Sequence, residues 1–219
     1  NTAVGANAGL VLQGAAQANT ILGASAGDAI TTASYNVAVG TSSLGANTVG
    51  AHNTSMGSDS MFTNILGSKS TAIGSGALYT QNYSTATDAF NVAVGFNAGA
   101  AVNTGTHNSL IGGLSGDALT TGGATVAIGY EALSGEDTGW YNVAIGMQAL
   151  RVQNNHANNF NVAVGYQAGV AVSTGIQNTF IGTQAAVAVN SGNYNTVIGM
   201  GGLGNLTTGE NCIGIGNGT

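Results

Sequence analysis

The sequence contains no proline and very little positive charge. Only two of its 219 residues are basic, Lys69 and Arg151, against eight acids, and charged residues make up 5% of the chain, where ~25% is typical. Duplex nucleic acid and anionic membranes are bound mainly through clustered Lys and Arg, so neither is expected as a partner. Solubility must therefore come from the amide and hydroxyl side chains of Asn, Gln, Ser and Thr.

Cysteine and long apolar runs are also scarce. The single cysteine, Cys212, cannot form a disulfide within the chain, and the repeat places no activating His or cation beside it, so a structural role is expected. No apolar run approaches the ~18 residues of a membrane-spanning helix. This segment is therefore not expected to insert into a membrane.

One short motif dominates the chain: a slot residue, Asn in ten copies, followed by two residues, an aliphatic residue and Gly. Nine of the twelve steps between copies are 17 residues long, and the glycine is never replaced. The thirteen copies begin at 1, 19, 36, 53, 70, 91, 108, 125, 142, 161, 178, 195 and 212. The structural repeat glycines are Gly5, Gly23, Gly40, Gly57, Gly74, Gly95, Gly112, Gly129, Gly146, Gly165, Gly182, Gly199 and Gly216.

A fixed short period with stacked apolar columns predicts a solenoid, because each coil can bury its apolar face only against its neighbours. We predict an all-β fold, a parallel β-roll or β-helix of thirteen coils with about 17 residues each, spanning residues 1–219 as one domain. Such a thin rod buries little apolar surface alone. Several parallel copies around one axis, as an intertwined or side-by-side homotrimer, would cover more of it.

The columns of the repeat predict the shape of each coil. With the slot as column zero, columns one to three predict a short strand, and the glycine in column four predicts a sharp turn or a positive φ. Column three, always aliphatic or Met, is expected to point into the coil, and column two, Ala in seven copies, to lie outside. Columns seven and eight predict a second inward-facing leg. The Asn slots predict a ladder of hydrogen bonds from coil to coil.

The three longer steps follow every fourth coil and divide the chain into quartets at 19–90, 91–160 and 161–219. The insertions 79–90 and 151–160 are expected to bulge from the rod. Their polar and aromatic side chains suit contacts with a sugar, although insertions in solenoids are also often neutral. The candidate receptor contacts are Tyr79, Asn82, Tyr83, Arg151, Asn154 and His156.

Aromatic and His side chains also recur in the column before the slot. Two interpretations are open: an exposed strip on which glycans stack, or packing between the chains of an oligomer. The residues are Tyr35, His52, Phe90, His107, Tyr141, Phe160 and Tyr194.

The sequence gives no sign of catalysis. The eight acids do not fall in one column of adjacent coils, whereas a glycosidase needs two carboxylates converging on one cleft. The three His residues lie at least three coils apart and share no metal-ligand spacing. No catalytic, cofactor-binding or metal-binding residue is predicted, and the chain is not expected to be an enzyme.

The repeats resemble those of bacteriophage tail-fibre proteins that end in a self-cleaving intramolecular chaperone. The resemblance is carried by Asn-Val-Ala-Val-Gly-Tyr-Gln-Ala-Gly at 161–169 and by 173–182. The run 125–129, Thr-Val-Ala-Ile-Gly, is similar to the head repeats of trimeric autotransporter adhesins, whose period is shorter. The resemblance implies a trimer of parallel β-rolls that serves as a shaft or a receptor-binding fibre.

Three functions are compared. The first is a non-catalytic structural fibre or adhesin segment, on a virion tail fibre or a cell surface, with itself and a glycan or protein receptor as partners. The second is a subunit of a self-assembling bacterial extracellular filament. The third is an ice-binding solenoid, which needs an unbroken Thr rank, but Val or Ile interrupts column one at six positions.

Overall fold

In a computed structural model, which describes residues 1–218, the chain forms a parallel β-solenoid of about thirteen turns. Thr219, the last residue of the third predicted quartet, lies outside the described residues. Each coil contributes one three-residue strand, from columns one to three, to a thirteen-stranded sheet. Its strands are β1 (Thr2–Val4), β2 (Thr20–Leu22), β3 (Val37–Val39), β4 (Thr54–Met56), β6 (Thr71–Ile73), β8 (Val92–Val94), β9 (Ser109–Ile111), β10 (Val126–Ile128), β11 (Val143–Ile145), β12 (Val162–Val164), β13 (Thr179–Ile181), β14 (Thr196–Ile198) and β15 (Ile213–Ile215).

Two shorter strands, β5 (Gly67–Ser68) and β7 (Thr87–Asp88), form a separate parallel pair. Residues 1–218 contain no helix, and so none that is long and apolar enough to cross a membrane. The prediction of an all-β parallel solenoid with a spacing of about 17 residues is confirmed.

Neighbouring strands of the large sheet pair column against column. Strand β10 lies against β11 with Ala127 opposite Ala144 and Ile128 opposite Ile145. The same register holds across the two longest steps, where β6 pairs with β8 and β11 with β12. The insertions are therefore absorbed outside the sheet, and side chains of one column stack in a continuous row along the rod.

The glycines of column four are required by both conformation and space. All thirteen adopt φ values between +124° and +140°, a region that residues with a Cβ rarely occupy. At Gly112 an added Cβ would also lie 2.6 Å from the carbonyl oxygen of Gly129 in the next coil. The prediction of a positive φ at this column is confirmed, and the close approach of successive turns explains why no other residue occurs there.

The predicted orientation of the strand is wrong. Column two points into the coil: Ala38, Ala127 and Ala163 are fully buried, whereas column three points outward, with Ile111 39% exposed. Side chains two residues apart in a strand point to the same face, so the slot residue and column two both face inward. A coil of about 17 residues encloses so little space that most strands place Ala there, and the larger aliphatic residues remain outside.

Three further inward columns complete the core. Columns seven and eight are buried as predicted, and column eleven, which the sequence analysis did not assign, faces them from the far leg. A large buried side chain in one coil occurs where the adjacent coil has a small residue. Phe180 in column two fills the space left at Gly169, where an added Cβ would lie 2.8 Å from the Phe180 ring. The core is thus packed by complementary volumes in successive coils.

The Asn slots form the predicted ladder, and most of its bonds join side chains to backbone. Asn178 Nδ2 donates to the carbonyl oxygen of Gly192 at 2.8 Å, and Asn178 Oδ1 accepts from the backbone N–H of Asn195 at 2.9 Å. The same pair of bonds recurs at Asn36 and Asn53. Asn36, Asn53 and Asn178 therefore each close their own coil and join it to the next, which satisfies polar backbone groups inside a thin core.

Candidate functional site

The outer face of the large sheet carries one unbroken apolar row, in column three, flanked by columns of mixed polarity, since column one is Thr or Ser in seven coils. We call it the sheet face and define it as columns one, three and five of all coils. Column three supplies a row of Val, Ile, Leu and Met, and column five adds large side chains beyond the glycine turn. In column five the exposed large apolar members are Phe96, Tyr130, Met147, Tyr166 and Met200, with Phe96 61% exposed, while other coils place Ala, Ser, Thr, Asn or Gly there. Soluble monomers rarely expose so long an apolar surface, so the sheet face is a candidate interaction surface.

The aromatic column before the slot borders the sheet face on its other edge. Tyr35 stacks on His52 with ring centroids 4.9 Å apart and planes 9° apart, and Tyr141 stacks on Phe160 at 5.0 Å and 6°. Stacking takes up one face of each ring, and Tyr35 and Tyr141 are still 54% and 44% exposed. The column therefore offers aromatic surface either to a glycan or to another chain.

Most residues of the first insertion, 79–90, lie against the rod. Strand β7 pairs with β5, and Lys69 Nζ lies 2.6 Å from Asp88 Oδ2. Gln81 and Ala89 are fully buried, whereas residues 84–86 are exposed. The prediction that 79–90 bulges as a whole is therefore wrong. Main-chain pairing and burial of these side chains hold the extra residues against the coil, and only its tip protrudes.

The second insertion is also anchored. Trp140 forms a parallel bridge with Asn158, and Gln153 and Asn159 are fully buried. Residues 156–158 remain exposed. The prediction for 151–160 is corrected in the same way, because buried amide side chains draw this segment onto the rod.

The predicted receptor contacts do not form one group. Tyr83 is buried, and its hydroxyl donates to the carbonyl oxygen of Gly105 at 2.8 Å; burial raises its pKa. Tyr79 is 38% exposed and stacks on Phe62, while Asn82 is half-buried. Tyr83 therefore belongs to the interior and offers no surface to a receptor.

The other predicted contacts, Arg151, Asn154 and His156, lie in the coil of β11. Four strand spacings separate this coil from that of β6, about 19 Å along the rod. His156 Nδ1 lies 2.8 Å from Thr138 Oγ1 and 3.2 Å from Asp137 Oδ1. The two insertions thus present two separate surfaces.

Arg151 and Asn154 line a groove that the sequence analysis did not foresee. We call it the Arg151 groove; its main lining residues are Leu114, Asp117, Glu131, Arg151, Val152 and Asn154, and its volume is about 520 Å³. At its base Gly135 donates its N–H to the carbonyl oxygen of Arg151 at 2.8 Å. A Cβ at Gly135 would lie 2.7 Å from that oxygen, so the close approach of these two coils depends on glycine.

The two carboxylates of the groove have different surroundings. Glu131 accepts from Gln148 Nε2 at 2.9 Å, and this bond is the largest cause of its lowered pKa. Gln148 in turn accepts from Gln167 at 2.8 Å, so a ladder of amides along column six fixes the position of Glu131. Burial raises the pKa of Asp117, and the charge of Glu131 adds to the rise. Arg151 Nη1 lies 3.9 Å from Glu131 Oε2.

The acidic pair escaped the sequence analysis because the acids were compared only within one column. Asp117 occupies column nine of its coil and Glu131 column six of the next, and the groove joins these columns across the coils. Comparison of different columns in adjacent coils would have revealed the pair. Among residues 1–218, no three His, Cys, Asp or Glu side chains are placed to hold a metal ion.

Glu136 is a third carboxylate in this quartet, and it is fully buried in column eleven. It accepts from Gly139 N at 2.8 Å, Gln153 Nε2 at 3.1 Å and Asn159 Nδ2 at 2.7 Å. Burial raises its pKa above the ordinary value of 4.5, and these donors offset part of the rise. Glu136 therefore joins the coil of β10 to the second insertion, at the cost of burying a carboxylate.

We expect Glu136 to make folding less favourable as pH rises. Because its pKa is higher in the folded chain, the folded state binds the proton more tightly, and stability is lost from pH 4.5 upward through the folded pKa. Urea unfolding of the wild type and Glu136→Gln over a pH series measures this. The wild type should lose stability relative to the variant as pH rises, while exposed Glu210→Gln should not reproduce that trend. A pH-independent difference between wild type and Glu136→Gln would contradict it.

No protein-family model, curated protein or solved structure matches the chain. The resemblance to tail-fibre and adhesin repeats therefore rests on the repeat motif alone and stays a prediction.

Proposed function

We propose that this chain is a segment of a non-catalytic extracellular fibre, in which three identical rods associate in parallel through their sheet faces. The fibre would act as a rigid shaft, on a virion tail or a cell surface, and carry an attachment site. The observation that carries the proposal is the exposed apolar sheet face, because such a surface on a soluble rod is a site of association.

The size of the sheet face supports association. Thirteen strands at a spacing of ~4.8 Å span about 58 Å from first to last, and columns one to five are about 13 Å wide. The face therefore covers roughly 750 Å² of each chain, which the trimer shares between two neighbours, against the ~800 Å² that each partner contributes to one standard stable interface. Column three lies at its centre and is entirely aliphatic or Met, which suits the apolar core of an oligomer interface.

The two edges of the sheet face support a parallel arrangement. One edge carries stacked rings such as Tyr141 and Phe160, and the other carries Phe96, Tyr130 and Tyr166. In a parallel ring of chains, the first edge of one copy meets the second edge of the next. Such a heterologous contact closes after three copies when the rotation between neighbours is one third of a turn.

The coil structure supports the role of a shaft. Every coil is joined to its neighbours by strand pairing, and most are also joined by the Asn ladder, so bending the rod would stretch many hydrogen bonds. The chain also offers trypsin-like proteases only Lys69 and Arg151. A protein with so few cleavage sites suits exposure outside a cell.

Sedimentation equilibrium at micromolar concentration tests the proposal. We expect the mass of three chains of 21.3 kDa each. A mass of one chain would reject association through the sheet face. A mass of two chains would reject the trimer, and a mass that grows continuously with concentration would favour the filament subunit.

A further inference from the structure

The Arg151 groove concentrates charges that the rest of the rod lacks. Three of the ten charged residues of the chain, Asp117, Glu131 and Arg151, line this one depression. It is built from columns six and nine to twelve, whereas the sheet face uses columns one to five. Association through the sheet face would therefore leave the part of the groove around Asp117, Arg151 and Asn154 open to solvent, while Glu131 follows Tyr130 at the edge of that face.

The groove also carries an apolar side chain, Leu114, where the repeat places polar ones. Column six holds Asn, Ser, Asp, Glu, Gln or Gly in the other twelve coils, and Leu114 is its single aliphatic residue. Val152, also in the lining of the groove, is 40% exposed. Apolar side chains beside charged groups are typical of a pocket for a ligand with both C–H and polar surfaces.

The polar groups of the groove have unused acceptor capacity. With two carboxylates and one guanidinium, its formal charge is -1. Asp117 is half-buried, with its Oδ1 shielded from solvent and without a side-chain donor in the described part of the chain, and the 3.9 Å between Arg151 and Glu131 is too long for a hydrogen bond. The groove therefore fits a ligand that brings one positive charge together with hydroxyl groups.

We propose that the Arg151 groove binds an amino-sugar unit of a cell-surface glycan. The ammonium group would lie between Asp117 and Glu131, Arg151 and Asn154 would bond to sugar oxygens, and the C–H face of the ring would pack on Leu114. A volume of about 520 Å³ lies within the ~300–1,000 Å³ of small-ligand pockets. The inference rests on the attachment role proposed above, although not on the trimer, because one chain supplies the whole groove.

Isothermal titration with two matched oligosaccharides tests this inference. The chitosan tetramer carries free amines, and the chitin tetramer has the same backbone with every amine acetylated. In a mildly acidic buffer of constant ionic strength, we expect the chitosan tetramer to bind at least about tenfold more tightly. Asp117→Asn and Glu131→Gln should each weaken its binding about tenfold, since each removes one charge facing the ammonium group.

Asp28→Asn is the matched control, because Asp28 occupies column nine of another coil and should leave binding unchanged. Equal affinities for the two tetramers, or binding unaffected by Asp117→Asn and Glu131→Gln, would overturn the inference. Tetralysine binding as tightly as the chitosan tetramer would reject the sugar, since charge alone would then suffice. Sedimentation of the same samples separates the fibre proposal from the groove proposal. If the protein has the mass of three chains but does not bind the chitosan tetramer, only the proposal for the groove is rejected. Release of shorter oligosaccharides would reject the non-catalytic fibre.

Discussion

Replacing Gly112 with Ala is expected to destabilise the rod severely, whereas the same change at the adjacent Gly113 should be nearly neutral. Gly112 has a φ of +130°, and its new Cβ would lie 2.6 Å from the carbonyl oxygen of Gly129. An Ala there needs both a strained backbone and a shift of the next coil, for which we expect a loss of roughly 4 kcal/mol or more in the free energy of unfolding.

Gly113→Ala is the matched control for that substitution. Its Cβ would lie 3.6 Å from the Tyr130 ring, an ordinary contact, and the free energy of unfolding should change by less than about 1 kcal/mol. Denaturant unfolding followed by circular dichroism measures both variants. Because each coil contacts only its neighbours, Gly112→Ala should also separate the transitions of the two halves of the rod. Equal stabilities of Gly112→Ala and Gly113→Ala would show that the close approach of successive coils at column four does not require glycine.

The second large effect is expected at the sheet face, where Ile111→Glu combined with Ile145→Glu should dissociate the proposed trimer. Both side chains project outward from one chain, so its fold should survive the change. Association would bury six added carboxylates near one axis, and we expect the affinity to fall by at least about 1,000-fold, or ~4 kcal/mol. Sedimentation should give the mass of one chain, with an unchanged far-ultraviolet circular dichroism spectrum.

Thr104→Glu combined with Thr121→Glu controls for added charge. Both residues are exposed in column thirteen, away from the sheet face, and this variant should keep the mass of three chains. If the Ile111 and Ile145 variant also keeps that mass, the sheet face is not the interface. Loss of the trimer in both variants would mean that net charge, and not the sheet face, controls association.

The division into quartets shows how much of the candidate site could be predicted from the sequence. The lengths of the steps locate the insertions, and the second insertion contains Arg151 and Asn154 of the groove. The same pattern predicts Tyr83 as a surface contact, yet its hydroxyl lies in the interior, bonded to Gly105. Composition could identify a polar segment with aromatic residues, but whether such a segment protrudes depends on which of its side chains find partners inside the rod.

By itself, the sequence determined the coil length, the position of each strand of the large sheet, the unusual φ of column four and the Asn ladder. Each of these follows from one residue type recurring at a fixed spacing, so stacking in register repeats the same contact in every coil. Only the tertiary structure decided which side of the strand lies inside. In a run such as Val126-Ala127-Ile128 both faces are apolar, and the narrow interior accepts Ala and leaves the larger residues outside. The Arg151 groove was decided in the same way, because Asp117 and Glu131 lie in different columns that only the path of the chain between coils brings together.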